Sequence, residues 1–175
     1  ALALGAASIV MHPTAHSHPH VSSVQSRLFE RDVSIARNVA AVLAGSSTKL
    51  ALENLPTYGI AYLERLMERL TDPQIGICFD TGHRNVRPER GLTEVVKALG
   101  PRMVHLHLSD NDGLCDQHLP PGEGCFDWST LLIHLPDKIM SQPWLIELDP
   151  PDPATASDFE AAWLQLADIR RVAYE

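Results

Sequence analysis

Hydrophobic and polar residues change their spacing repeatedly along the chain. Short apolar runs such as Ser8–Met11 and Ile75–Phe79 are each followed by a longer stretch whose apolar residues recur every three to four positions. The first pattern is typical of a strand covered on both faces, and the second of an amphipathic helix. The sequence therefore predicts strand–helix units that follow one another, with no sign of hairpins.

The pattern predicts five such units. The expected strands are Ser8–Met11, Leu50–Leu52, Ile75–Phe79, Met103–His107 and Trp144–Ile146. The expected helices are Ser23–Leu43, a stretch around Ile60–Leu70, Leu92–Leu99, Trp128–Leu135 with Asp127 as N-cap, and a last helix that opens at the capping box Ser157–Glu160. Strands that alternate with helices predict a parallel α/β sheet, and the lack of a linker predicts a single domain over residues 1–175.

Each predicted strand ends on a side chain that can bind a metal ion. These residues are His12, Glu53, Asp80, His107 and Glu147. In a (β/α)8 barrel the carboxyl ends of the strands converge on one mouth, where active sites lie. We therefore expect a metal site there. The alternative for each acidic residue alone is that it caps the following helix, a task that a neighbouring Asn or Thr could also perform.

Further histidines and aspartates follow the strands. His83 lies just beyond the third strand, and Asp116 and His118 form an Asp-x-His pair in the loop after Met103–His107. Imidazole and carboxylate groups that converge suit a borderline divalent cation. The alternative is an exposed polar loop. His16, His18 and His20 are expected to lie in a solvated loop, with a surface metal patch as the alternative.

Charge and cysteine content narrow the classes of function. The chain carries a formal charge of −8 and no long basic run, which disfavours strong nucleic-acid binding. Its three cysteines show no paired spacing, and Cys78 and Cys125 do not match a zinc-ligand spacing. This usage is expected of a reducing, cytoplasmic setting. No apolar run approaches the ~20 residues of a membrane helix, so no membrane partner is expected.

Several segments carry a family resemblance. Asp-Thr-Gly-His and Asp-x-His-…-Gly-Glu-Gly are its most specific motifs. The matching segments are VMHP (10–13), LALENLP (50–56), ICFDTGH (77–83), HLHLSDN (105–111), DQHLPPGEG (116–124) and LIELDP (145–150). Together they resemble the xylose-isomerase-like TIM-barrel superfamily, which also holds the endonuclease IV type of AP endonuclease.

The resemblance implies a ligand set. In the sugar isomerases and epimerases one divalent ion, here Mn²⁺, Mg²⁺, Co²⁺ or Zn²⁺, would be held by the residues that match Glu53, Asp80, His107 and Glu147. The two glutamates would also move protons on the sugar carbons. In the AP endonucleases three zinc ions would add the residues that match His12, His83, Asp116 and His118, together with a histidine from the third strand of the barrel.

The resemblance begins only at the fourth strand, so the expected fold is an incomplete TIM (β/α)8-type barrel of about strands 4–8. A complete barrel usually needs about 250 residues. We expect a truncated sequence, with a partner that closes the sheet as the alternative. The strand that would carry the third-strand histidine is absent from the match, so a strong site that includes His12 is not expected.

The favoured function is a metal-dependent isomerase or epimerase of a sugar, sugar phosphate or keto acid, which acts through an enediolate. Glu53 and Glu147 are its expected catalytic residues. The alternatives are an endonuclease IV-like zinc phosphodiesterase on abasic DNA, and a metal-binding barrel without turnover. The ketose epimerases tend to carry an arginine where this chain has Asp112–Leu114. The identity of the sugar-like substrate therefore stays open. Whether the protein is a homo-oligomer is a separate open question.

The sequence also supports predictions for four other residues. His105 lies two residues before His107 and is expected in the core or behind the metal ligands. Arg84 could meet a substrate oxygen, or be a solvent-exposed loop residue. Trp128 and Trp144 are expected in the hydrophobic core.

Overall fold

A computed structural model of the chain describes residues 1–14, 22–149 and 156–174. The prediction for His16, His18 and His20 lies outside the described residues. Before the first strand, a short 3₁₀ helix over Leu2–Leu4 ends at Gly5, whose φ of 64° is left-handed, as expected for a glycine cap.

Five parallel strands form one sheet in chain order, β1-β2-β3-β4-β5. The strands are β1 (Ser8–Met11), β2 (Lys49–Glu53), β3 (Ile75–Asp80), β4 (Met103–Leu108) and β5 (Leu145–Ile146). Every pairing between neighbours is parallel. The sheet is a half-barrel, which confirms the prediction of an incomplete TIM barrel.

Helices connect the strands. They are α1 (Ser22–Leu43), α2 (Gly59–Arg69), α3 (Thr81–Val86), α4 (Leu92–Leu99), α5 (Trp128–His134), α6 (Asp137–Met140) and α7 (Ala156–Tyr174). Asp127 caps α5 as predicted, since its side chain accepts a hydrogen bond from the backbone N–H of Thr130. The short helices α3 and α6 were not predicted, because neither is long enough to show a helical period.

The sheet separates two environments. Alternate strand residues such as Leu52, Ile77 and Leu106 are fully buried in the core cluster that the helices cover. The intervening residues face the inside of the half-barrel, because side chains alternate across a strand. Gly76 permits a close approach there: a Cβ atom at this position would lie 2.5 Å from Val104 Cγ1. The inner face leads to the carboxyl ends of the strands, where the expected ligands lie.

Two predictions about burial need correction, those for Trp144 and Arg84. Trp128 is buried as expected, at 4% exposure. Trp144 packs against the core but is only half-buried, and its ring lies edge-on to the exposed Trp163 of α7. Arg84 is not a solvent-exposed loop residue: it lies in α3, is 5% exposed, and donates a hydrogen bond to the backbone carbonyl of Arg90.

Candidate metal centre

Four strand-end side chains come together at the carboxyl edge of the sheet. The Nδ1 atom of His107, in β4, is 3.3 Å from Glu147 Oε1 and 3.5 Å from Glu53 Oε1. The same nitrogen is 3.7 Å from Asp80 Oδ2. Glu53 ends β2, Asp80 ends β3, and Glu147 directly follows β5. Four different strands therefore supply one imidazole and three carboxylates to one point.

Within this group, the environment of the His107 imidazole gives the strongest indication of a cation site. Its side chain is 7% exposed, and neither ring nitrogen has a hydrogen-bond partner among the described residues. Burial alone would lower the pKa of His107, but the Glu53 carboxylate raises it. A buried, unpartnered imidazole beside three carboxylates fits a divalent cation bound through oxygen and nitrogen, because such an ion would replace the proton as the positive charge.

Glu53 is the most enclosed of the carboxylates. It is 1% exposed, and its Oε2 atom lies 2.9 Å from His12 Nε2. Its Oε1 atom lies 3.2 Å from His83 Nδ1. Burial would raise the pKa of Glu53, but the neighbouring imidazoles of His107 and His83 lower it well below its usual value. Glu53 is therefore charged at neutral pH, and histidines surround it.

Asp80 has two roles. Its Oδ1 atom accepts a 2.7 Å hydrogen bond from the backbone N–H of His83 and so caps α3. Burial raises the pKa of Asp80 to about 7. The expected alternative of helix capping is therefore correct for one oxygen, while Oδ2 stays directed toward His107. A cation at this point would hold Asp80 in its charged form.

His83, Asp116 and His118 form a second cluster beside the first. His83 Nε2 lies 3.2 Å from Asp116 Oδ2, and the same oxygen lies 3.0 Å from His118 Nε2. Burial would lower the pKa of His83, but Asp116 and Glu53 raise it to about 11. The pKa of Asp116 is lowered: burial opposes this change, and the hydrogen bond with His83 causes it.

The two clusters differ as candidate ion sites. Glu53, Asp80 and His83 bring three ligand atoms within 4.8 Å of one another, and so do Asp80, His107 and Glu147. In the described part of the chain, the three residues of the second cluster do not form such a group with each other. His12 pairs with Glu53, and its side chain is 58% exposed.

Sequence reasoning missed the residues that hold these clusters in place. The Asn54 side chain is 2% exposed and both accepts from the N–H of Asp80 and donates to its carbonyl, at 2.9 Å each. Asp110 is fully buried, and four donors hydrogen-bond to its carboxylate. They are the N–H groups of Asn111, Gly122 and Phe126, and the indole N–H of Trp128. In the sequence, the only indication of a role for Asn54 or Asp110 was its position beside a strand end.

Two inner-face residues lie beneath the ligands. His105 packs its ring edge-on against His107, with ring centroids 5.3 Å apart. Cys78 is fully buried, and its sulfur lies within 4.8 Å of ligand atoms of both Glu53 and His107. The spacing of Cys78 in the sequence gave no indication that its thiol would lie beside these two ligands. Burial raises the pKa of the Cys78 thiol well above its usual value.

The parallel half-barrel and its strand-end cluster define an α/β-barrel protein with a candidate cation site at its mouth. The sequence model of the xylose isomerase-like TIM barrel, the AP endonuclease 2 family, matches residues 1–167. The chain belongs to this family. In the described residues, no helix combines the length and the apolar character that a membrane crossing requires.

Two curated relatives are named as uncharacterized proteins. The uncharacterized protein y4fM of Sinorhizobium fredii is 31% identical over 137 residues, which cover 75% of this chain and 43% of that protein. The uncharacterized protein MJ1311 of Methanocaldococcus jannaschii is 28% identical over 131 residues, or 71% and 44%. The chain therefore spans less than half the length of the curated relatives that it matches.

Solved structures share the fold. A D-tagatose 3-epimerase-like protein superposes with a TM-score of 0.80 at 24% identity, covering 98% of this chain and 64% of that one. A xylose isomerase domain protein from Alicyclobacillus acidocaldarius gives 0.74 at 21% identity, covering 98% and 67%. The D-psicose 3-epimerase of Clostridium cellulolyticum H10, solved with D-tagatose, gives 0.64 at 17% identity, covering 94% and 62%.

Proposed function

We propose that the barrel to which this sequence belongs is a divalent-cation-dependent isomerase or epimerase of a sugar-like substrate. The observation that carries the proposal is the buried imidazole of His107, which has no hydrogen-bond partner among the described residues and faces three carboxylates. Glu53, Asp80, His107 and Glu147 would hold the ion. When bound, it would polarise the substrate carbonyl and so acidify the neighbouring C–H.

The two glutamates are suited to different tasks. Glu147 keeps 29% of its side chain exposed, so it is accessible to a substrate at the mouth. Glu53 is enclosed and is charged at neutral pH, because His107 and His83 hold its pKa down. We assign removal and return of the substrate proton to Glu147 and Glu53, acting from different strands. The direction of each transfer depends on the substrate.

The second cluster has a positioning role in this proposal. His83 hydrogen-bonds to the backbone carbonyl of Asn54 at 2.8 Å and pairs with Glu53, so it fixes the orientation of that glutamate. His118 is 29% exposed and His12 is 58% exposed. Both can reach substrate hydroxyl groups. In this role His12, His83, Asp116 and His118 orient ligands and substrate and do not bind a second ion.

The comparisons support the class of substrate. Structures with the same fold include a D-tagatose 3-epimerase-like protein, and a D-psicose 3-epimerase solved with D-tagatose. The second name is that of a sugar epimerase, and the first marks a likeness to one, which is the basis for proposing a sugar-like substrate here.

Solvent proton exchange tests the chemistry. In D₂O with Mn²⁺, the protein is incubated with a panel of ketoses, aldoses and keto acids, and deuterium incorporation next to the carbonyl is measured by NMR. We expect Glu147→Gln to lower the exchange rate by about 10²–10⁴-fold while Mn²⁺ binding is retained. Asp149→Asn is the matched control, because Asp149 is an exposed carboxylate two residues further along. A Glu147→Gln protein that binds Mn²⁺ and exchanges at the parent rate would remove Glu147 from the mechanism.

A second candidate function is hydrolysis of phosphodiesters at abasic DNA. The contacts of His83, Asp116 and His118 favour it, because two imidazoles and a carboxylate are typical zinc ligands. The formal charge of −8 opposes it, since duplex binding draws on several Lys and Arg contacts to phosphate. Metal analysis separates the two: one ion per chain is expected for the isomerase, and two or three zinc ions with cleavage of abasic DNA for the nuclease.

A further inference from the structure

Beneath the proposed cation site lies a thiol that the proposed chemistry does not use. Cys78 lies two residues before Asp80 in β3, so both side chains point to the inner face of the half-barrel. The thiol is fully buried and forms no disulfide. It therefore lies one layer deeper than the carboxylate of Asp80, on the same side of the sheet.

Two of the proposed cation ligands at the mouth of the barrel, Glu53 and His107, also lie next to the Cys78 thiol. The ligand atoms of Glu53, Cys78 and His107 all lie within 4.8 Å of one another. An ion with bonds of ~2.3 Å to sulfur and ~2.0–2.1 Å to nitrogen holds these ligands no more than about 4.4 Å apart. The three groups therefore lie close to the spacing that one shared ion requires.

A second observation points to a ligand at this depth. Both ring nitrogens of His107 are buried without a hydrogen-bond partner among the described residues, and the ring belongs to both ligand sets. The outer set is the one proposed above, Glu53, Asp80, His107 and Glu147, and it offers mainly oxygen. The inner set keeps Glu53 and His107 and replaces Asp80 and Glu147 by the sulfur of Cys78. Hard ions prefer oxygen ligands, whereas Zn²⁺ and Cd²⁺ accept thiolate.

We propose that Cys78 gives the cation site a second, thiolate-containing binding mode for thiophilic ions such as Cd²⁺ and Zn²⁺. Mn²⁺ and Mg²⁺ are held at the mouth by the oxygen-rich set, while a thiophilic ion moves inward and binds Glu53, Cys78 and His107. On binding, the S–H bond breaks, the sulfur donates its electron pair to the ion, and the proton leaves to solvent. The nature of the ion therefore decides whether Glu147 is among its ligands.

The inference rests on the proposed cation site, and sulfur-to-cadmium charge transfer tests it separately. Cd²⁺ is titrated into a chain with Cys115→Ser and Cys125→Ser, which removes the two exposed thiols and leaves Cys78 as the single cysteine. We expect the ultraviolet band of a cadmium thiolate in this protein and its loss on adding Cys78→Ala. Cadmium affinity should fall by at least about tenfold with Cys78→Ala, while Mn²⁺ affinity stays within about twofold.

The outcomes separate the two proposals. Absence of the band when Cd²⁺ binds the double serine variant overturns the role of Cys78, and this result does not require a Cys78 variant to fold. A band that persists in Cys78→Ala overturns it as well. Failure of the parent chain to bind Mn²⁺ rejects the oxygen-rich site and the proposed isomerase chemistry, whereas Mn²⁺ binding without a cadmium band rejects only the thiolate mode.

Discussion

At the scale of single residues, the balance between burial and partner groups sets the charge of two carboxylates at the barrel mouth. Glu53 and Asp80 are both carboxylates at strand ends and both 1% exposed. Burial opposes the charged form of each. In Glu53 the neighbouring histidines outweigh burial and lower the pKa, whereas in Asp80 burial dominates and raises the pKa to about 7. The partner groups, not the residue type, therefore determine which carboxylate is ionised without a cation.

The raised pKa of His83 makes the stability of the ion-free chain depend on pH. Its pKa is about 11 in the fold against 6.5 in the unfolded chain. The stabilisation is therefore complete below the unfolded value and is lost as pH rises toward the folded value. Asp80, whose pKa is also raised in the fold, gives a slope of the same sign, but only between its usual value of 3.8 and about pH 7, so its contribution is constant above that range.

We expect the free energy of unfolding of the ion-free chain to fall between about pH 7.5 and about pH 10, and His83→Gln to flatten this slope. Urea unfolding at several pH values in EDTA measures it. His134→Gln, a histidine of α5, is the control. Equal slopes in the parent and in His83→Gln would mean that His83 does not carry the charge.

At the scale of elements, one buried carboxylate organises the loop that follows β4. Asp110 accepts hydrogen bonds from the N–H groups of Gly122 and Phe126 and from Trp128 Nε1, at 2.7–3.0 Å. The loop is closed further by the paired backbone hydrogen bonds between Asp110 and Leu119. Because Asp116 lies inside this closed loop, Asp110 holds the second cluster in place without touching it.

We expect Asp110→Ala to lower the free energy of unfolding by roughly 3 kcal/mol or more, because several buried donors would lose their acceptor. Amide hydrogen exchange should become faster across residues 110–126. Asp112→Ala is the matched control: Asp112 is exposed and accepts hydrogen bonds from the neighbouring N–H groups of Leu114 and Cys115, so a change within about 0.5 kcal/mol is expected. If both variants lose equal stability, Asp110 is not the centre of the loop.

At the scale of the whole molecule, the proposed ion would join the ends of four strands at one edge of the sheet. Glu53, Asp80, His107 and Glu147 belong to the ends of β2, β3, β4 and β5. Only two residues of β5 pair with β4, over His107–Leu108. A cation bound by all four side chains would therefore stabilise the half-barrel as a unit. The short strand β5 would gain the most stability.

We expect Mn²⁺ at about 100 times its dissociation constant to stabilise the chain by about 2.7 kcal/mol, which corresponds to a rise in Tm of about 5–10 °C. EDTA should reverse the rise, and His107→Gln should abolish it. Differential scanning calorimetry measures both. A rise that His107→Gln leaves intact would locate the stabilising ion elsewhere.

The sequence by itself determined the framework of this protein. Alternation of short apolar runs with helical periods predicted five parallel strands, and their order in the sheet follows the chain. The polar residue that closes each run marked Glu53, Asp80, His107 and Glu147. The strands and their polar end residues both follow from the local pattern, because a strand covered on both faces must be apolar until it ends at the edge of the sheet.

Only the tertiary structure decided how these residues are partnered. Asn54 contacts Asp80 across 26 residues of chain, and Asp110 contacts Trp128 across 18. The depth of Cys78 beside Glu53 and His107 depends on the register of three strands. Such contacts leave no period in the sequence. Burial and charge at the mouth arise from groups that the fold alone brings within hydrogen-bond distance.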